Sequence, residues 1–180
     1  MSGEITFRRH TWDEALAESE RDAPFVIEGL ISGMSTLIYG EAKAGKSFFV
    51  SAIVAALTEG KREFLGQAIH GDHRWRVGIA WTDDQALAEY ARRVVGVLPE
   101  GVKPDITFYQ LPIMRGPEYW DALFAQVMED ERNLLVIDNL SQAIHGSLND
   151  DRAVNEFFDG VRKFIRAGIP VIIVGHSSEK

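Results

Sequence analysis

Ser35-Thr-Leu-Ile-Tyr39 is a short apolar run, Gly40-Glu-Ala-Lys-Ala-Gly-Lys-Ser47 comes directly after it, and Phe48-Phe-Val-Ser-Ala-Ile-Val-Ala-Ala-Leu57 follows without a break. Read in order, these are a strand, a glycine-bearing loop and an apolar helix. The loop fits the pattern glycine, four residues, Gly-Lys-Ser, in which glycines let the backbone come close to a phosphate group. Successive N–H groups and the positive end of the helix dipole then converge on the phosphate oxygens. A chance glycine-rich turn is the competing explanation; with glycine at about 7% of residues, the full pattern arises by accident in roughly one chain in a hundred of this size. Gly40, Glu41, Ala42, Lys43, Ala44, Gly45, Lys46, Ser47 and Phe48 form the expected phosphate cradle. In it Lys46 would reach the β and γ phosphates, and Ser47 would offer its hydroxyl to the Mg²⁺ that bridges them.

Outward from the loop, strands and helices alternate. Val77-Gly-Ile-Ala-Trp81 stops at Asp83-Asp84, and Ala86, Leu87, Tyr90, Ala91, Val94 and Val95 then recur at helical spacing, with either aspartate placed to cap that helix. Ile106-Thr-Phe-Tyr109 reads as a third strand, residues 118–130 as a helix, and Leu134-Leu-Val-Ile-Asp138 as a strand buried on both faces. Residues 149–167 are helical in their second part, where Val154, Phe157, Phe158, Val161, Phe164 and Ile165 form an apolar stripe, and Val171-Ile-Ile-Val174 is a fifth strand. Continuous apolar strands alternating with helices give an α/β fold: three layers, a mainly parallel sheet between helices. Near the start, Thr11 and Glu14 have the spacing of a capping box, with Trp12, Ala15, Leu16 and Ser19 on one helical face. Residues 1–24 are thus expected to carry a peripheral helix, and residues 25–180 to form the core.

Three further positions carry chemistry. Asp138 closes a buried strand, where such a sheet presents ligand-binding groups; it would hold the metal's water or Ser47, unless it only caps the turn at Asn139. Asp83, and less so Asp84, could orient an attacking water, or could be a helix cap and no more. His176, two residues beyond Val174, could hydrogen-bond a γ-phosphate and report its loss, or be structural.

Bulk composition narrows the classes. Of 180 residues 46% are hydrophobic and 26% charged, which excludes disorder, collagen and coiled coil. The net charge of -8 gives no general attraction to nucleic acid or an anionic membrane, so any nucleic-acid contact must be local. There is no cysteine, hence no disulfide, thiolate zinc site or cysteine nucleophile. No apolar run reaches the roughly 18 residues of a membrane span, and residues 1–10 lack a signal-peptide core. A cytoplasmic location without membrane partners is the expectation.

With these residues in place the chain resembles the RecA-type P-loop ATPases, and among AAA family ATPases the RepA-like and DnaB-like replicative helicase branch. The resemblance spans roughly residues 25–180 and rests on four features. They are the Lys-Ala-Gly-Lys-Ser loop ending, the preceding Val26-Ile-Glu-Gly-Leu30, the acidic strand end Ala80-Trp-Thr-Asp-Asp84 with Arg92-Arg93 beyond it, and the strands ending at Asp138 and His176. It implies a RecA-like core whose five strands, numbered in chain order, lie as 3-2-4-5-1, ATP with Mg²⁺ as ligands, and a homo-oligomer such as a hexameric ring. Asp83 would stand where the family carries a catalytic glutamate, one methylene longer; Lys46 and His176 would complete the catalytic set, with Ser47 and Asp138 on the metal. The family's sheet continues beyond the phosphate-loop strand, which here would be left as an exposed edge; that predicts a C-terminally incomplete core, lacking the segment that carries the finger of a neighbouring subunit.

The resemblance also implies single-stranded DNA at the loop after Asp138. Residues 141–151 contain no Lys or Arg, so the phosphate attraction behind non-specific binding is missing. His145 and Asn149 could still make polar contacts, or the loop could be a solvated connection in which residues 149–151 cap the next helix. The expected function is Mg²⁺-dependent ATP hydrolysis by an oligomer acting in DNA replication or recombination, helicase-like. The alternative is a nucleotide-dependent switch or loader with slow hydrolysis. A small-molecule phosphotransferase would need an arginine-rich lid, for which Arg115 is the one candidate near Met114-Arg-Gly-Pro117.

Overall fold

Along the buried runs, neighbouring side chains point to opposite sides, and this alternation builds two cores on one sheet. The computed structural model describes residues 9–21, 25–71, 74–82, 86–144 and 150–176. In chain order the elements are α1 (Trp12–Arg21), β1 (Phe25–Ile27), β2 (Ile31–Ser32), β3 (Ser35–Gly40), α2 (Lys46–Glu59), β4 (Glu63–Phe64), β5 (Gln67–Ala68) and β6 (Val77–Trp81). They continue with α3 (Ala86–Val95), β7 (Ile106–Gln110), α4 (Pro117–Glu129), β8 (Leu134–Asp138), α5 (Leu140–Ala143), α6 (Asp151–Arg166) and β9 (Val171–His176). The central sheet has the order β3-β9-β8-β6-β7 with every neighbouring pair parallel. Reversed, this is the order 3-2-4-5-1 that the resemblance implies.

Leu134 and Val136 of β8, with Ile79 and Val174, face Val50, Ile53, Val54 and Leu57 of α2 and Tyr90 and Val94 of α3. Leu135 and Ile137, with Ala80 and Ile173, face Trp120, Leu123 and Val127 of α4 and Phe157, Val161 and Phe164 of α6. The result is three layers, with β6, β8 and β9 covered on both sides. Helix α2 is apolar nearly all round because it is sunk into its layer, and its two buried hydroxyls bond back to their own helix: Ser51 Oγ to the Ser47 carbonyl at 2.7 Å and Thr58 Oγ1 to the Val54 carbonyl at 2.8 Å. At the other extreme β3 lies at the sheet edge, with Leu37 and Tyr39 exposed.

Local expectations for the helices are met unevenly. The α1 capping box forms, Thr11 N–H donating to Glu14 Oε2 at 2.8 Å and Glu14 N–H to Thr11 Oγ1 at 3.2 Å, yet its apolar face stays in solvent and Trp12 is 77% exposed. Among the described residues of the α3 stripe, Tyr90 and Val94 are buried against α2, while Leu87, Ala91 and Val95 are exposed. The stripe of α6 packs as read, and Asp150 caps the helix by accepting from Arg152 N–H at 3.0 Å. Two small antiparallel pairs, β1-β2 and β4-β5, add to the α2 side, the second closed by Leu65 and Gly66, both with positive φ.

Gly160 marks a close approach between α6 and α4: a Cβ there would lie 2.1 Å from the buried Trp120 ring. Overpacking of this kind costs about 1–3 kcal/mol, against a helix-propensity gain of about 1 kcal/mol for alanine over glycine. Gly160→Ala is therefore expected to lower the unfolding free energy in urea titration, and a stabilised variant would contradict the α4–α6 packing.

Candidate functional site

The phosphate-loop sequence begins at the last residue of β3 and ends in the first turn of α2. Lys43 and Gly45 have φ values of 62° and 84°, the left-handed region that costs other residues roughly 1–2 kcal/mol and glycine nothing. With Gly45 there, Phe49 N–H reaches the Gly45 carbonyl at 2.9 Å and the helix starts immediately. The first N–H groups of α2 have no partners within the helix and carry the positive end of its dipole. Residues 41–45 are exposed, so these donors sit at an open surface.

Lys46 folds back over the loop and is only 8% exposed. Its ammonium donates to the Gly40 carbonyl at 2.9 Å and to the Glu41 carbonyl at 2.5 Å. An ammonium has three donors, so this geometry parks the charge at the mouth of the loop with one N–H left for a ligand oxygen.

Strand register brings the remaining groups alongside. Gly40 pairs with His176, Val174 with Asp138, and Asp138 with Trp81, so β3, β9, β8 and β6 end side by side. Asp138 is 9% exposed, and its Oδ2 accepts a short hydrogen bond from the Tyr90 hydroxyl. Burial, then the charge of Asp138 and its hydrogen bond, push the Tyr90 hydroxyl well above its ordinary pKa, which keeps it protonated and donating. His176 has a buried Nδ1 without a hydrogen-bond partner among the described residues. Around the end of β8, Asn139 caps α5 by accepting from Gln142 N–H at 3.0 Å, and Thr82 donates to Gln142 Oε1 at 2.7 Å. Thr82 N–H donates to the Asp138 carbonyl at 3.1 Å, fixing the exit of β6 beside the carboxylate.

Of the residues singled out from sequence, Lys46, Ser47, Asp138 and His176 share this edge, with Asp138 held by Tyr90. Phe48 is exposed and lines a recess of about 600 Å³ with Glu89, Arg92, Arg93, Gly96 and Val97. Asp83, Asp84, His145 and Asn149 lie outside the described residues. Tyr90, Thr82 and Gln142 are the participants that sequence reading misses. A signal existed for Tyr90: a tyrosine on the buried side of a helix brings a hydroxyl that must find a partner.

One hydroxyl and one carboxylate suit Mg²⁺, which keeps several waters and binds through one or two protein oxygens together with substrate phosphates. Among the described residues no three His, Cys, Asp or Glu side chains group to hold a metal by themselves. No helix among them is long and apolar enough to cross a membrane.

The family model of an AAA domain matches the chain over residues 4–180. No curated protein matches the chain.

Replacing Lys46 by methionine keeps the length of the side chain and removes the charge. A hydrogen bond to a charged group is worth about 1.5–3 kcal/mol, so Lys46→Met is expected to weaken ADP binding by roughly ten- to a hundredfold in calorimetric titration. Unchanged affinity would remove Lys46 from the site.

Proposed function

The chain belongs to the AAA domain family of P-loop ATPases, and on that premise we propose that it is a Mg²⁺-dependent ATPase of the RecA type that works as an oligomer in DNA replication or recombination, with helicase-like action. The observation that supports this most is the shared edge: Lys46 and Ser47 after β3, Asp138 at the end of β8 and His176 at the end of β9.

In this reading Lys46 transfers its free donor to the β and γ phosphates, while the loop and helix N–H groups hold the remaining oxygens. Ser47 and Asp138 hold Mg²⁺, which when bound offsets the negative charge of the phosphates. Asp83 orients the water whose oxygen bonds to the γ phosphorus as the bond to the bridging oxygen breaks, and ADP leaves with phosphate as the second product. His176 hydrogen-bonds the γ-phosphoryl group with its unpartnered ring nitrogen and registers its departure. A neighbouring subunit supplies an arginine or lysine finger, and the cytoplasm is where such a motor would act.

A second reading, a nucleotide-dependent switch or loader with slow turnover, draws support from charge. The segment of residues 141–151 carries no Lys or Arg, and the whole chain has a net charge of -8, which disfavours a DNA-tracking surface. The aspartate at position 83, shorter than glutamate, points the same way.

Phosphate release assays with and without single-stranded DNA, run beside light scattering in ATP and Mg²⁺, separate the two. The motor reading expects an oligomer whose turnover rises with DNA and vanishes in Lys46→Ala. A monomer with DNA-independent, slow turnover would contradict it in favour of the switch, and turnover retained in Lys46→Ala would contradict the site itself.

A further inference from the structure

Thr82 follows β6 directly and belongs to no phosphate-loop motif, yet its hydrogen bonds converge on the segment that carries Asp138. Its N–H donates to the Asp138 carbonyl at 3.1 Å, one step beyond the rung in which Trp81 pairs with Asp138. Its Oγ1 accepts from Asn139 N–H at 3.3 Å and donates to Gln142 Oε1 at 2.7 Å. A threonine hydroxyl has one proton and two lone pairs, so it can make both bonds at once. The two ends of one peptide unit, the Asp138 carbonyl and the Asn139 N–H, are thus held by Thr82, the first through its backbone and the second through its side chain.

The far end of this clamp is fixed as well. Gln142 lies on α5, whose Leu140 and Ala143 are buried in the same core as α4 and α6, and Met114 N–H donates to the Ala143 carbonyl at 3.2 Å. Asn139 Oδ1 accepts from Gln142 N–H at 3.0 Å and from Ser141 Oγ at 2.9 Å, which closes the turn between β8 and α5 around the same peptide. With its proton drawn to Gln142, the Thr82 hydroxyl keeps a lone pair on Asn139 N–H; without that oxygen a part-buried donor loses its partner, which is costly.

We propose that Thr82, its hydroxyl oriented by Gln142, is a positioning residue for Asp138, fixing the backbone from which that carboxylate reaches Mg²⁺ when nucleotide is bound. This rests on the reading of Asp138 as a metal-holding residue. Asp138 is buried and its Oδ2 is already engaged by Tyr90, so rotation of the side chain has little room to compensate for a shifted backbone.

Thr82→Val keeps the shape of the side chain and deletes the hydroxyl. The test is a fluorescent-ADP titration at rising Mg²⁺ and again in EDTA. The net worth of one hydrogen bond corresponds to about two- to tenfold in an equilibrium constant. The Mg²⁺ concentration that gives half the affinity gain is therefore expected to rise by about that factor, with metal-free affinity unchanged. Thr82→Ser, which retains the hydroxyl, is expected to keep the midpoint of the unaltered protein. Gln142→Met, at an exposed position, is expected to raise the midpoint as well, and the double variant to raise it no further than Thr82→Val does, because both changes undo one arrangement. An unchanged midpoint in Thr82→Val, equal losses with and without Mg²⁺, or a Thr82→Ser as impaired as Thr82→Val would overturn the proposal and leave Thr82 a residue of the strand end alone. Should Thr82→Val fail to fold, Gln142→Met decides: a raised midpoint supports the clamp and an unshifted one overturns it. If Mg²⁺ adds nothing to ADP affinity in the unaltered protein, the metal reading of Asp138 fails and the proposal with it; a normal Mg²⁺ gain with an unmoved Thr82→Val midpoint is a failure of the clamp alone.

Discussion

Every strand of the central sheet runs the same way, and the chemistry of this protein hangs on that constraint. Parallel strands end on a common edge, so groups far apart in sequence, at Gly40, Asp138 and His176, become neighbours through backbone pairing alone. A parallel sheet needs helices on both faces to bury its apolar strands, which here demands α2 and α3 on one side and α4 and α6 on the other. Placing α2 immediately after β3 directs its N-terminus at that same edge. Anion-binding potential is therefore a consequence of how the chain must turn to cover its sheet.

Polar groups at the edge are held by partners that come from the scaffold. Lys46 is restrained by the carbonyls of its own loop, Asp138 by Tyr90, and the exit of β6 by Thr82 against the Asp138 backbone. Buried polar groups left without partners are expensive, so a site assembled in this way is stiff before any ligand arrives. His176 Nδ1 departs from that economy, being buried without a partner among the described residues. That departure sits at the strand end that pairs with Gly40.

Much of this was legible in the residues, for identifiable reasons. Five apolar runs bounded by turn residues became the five strands of the central sheet, and the stripe of α6 packed as its spacing requires. The order of the strands came from resemblance, since spacing does not encode which strand lies beside which. The α3 stripe misled because periodicity marks a face without saying how much of it a neighbour covers; among its described residues only Tyr90 and Val94 reach the core. The β4-β5 hairpin was invisible because two-residue strands have no period, and Leu65 in its turn adopts a positive φ that its side chain disfavours. Lys46, Ser47, Asp138 and His176 stand out in the sequence because each sits at a strand end or in a loop with a recognisable pattern. Tyr90 reads as an apolar stripe residue, because spacing carries no information about where its hydroxyl ends. Asp83 falls outside the described residues and keeps only its sequence reading.

Two surface features carry basic side chains. One is the loop before α2; the other is a recess of about 500 Å³ past the end of the same helix, lined by Lys61, Arg62 and Arg74 beside Trp75. The helix has 14 residues, so at about 1.5 Å per residue the two lie roughly 21 Å apart. A crystal structure with a non-hydrolysable ATP analogue and Mg²⁺ distinguishes them without ambiguity. The expected result is a triphosphate in the loop, with Lys46 Nζ on its oxygens and the metal between Ser47 and Asp138. Phosphates bound at Lys61 and Arg62 with an empty loop would contradict it.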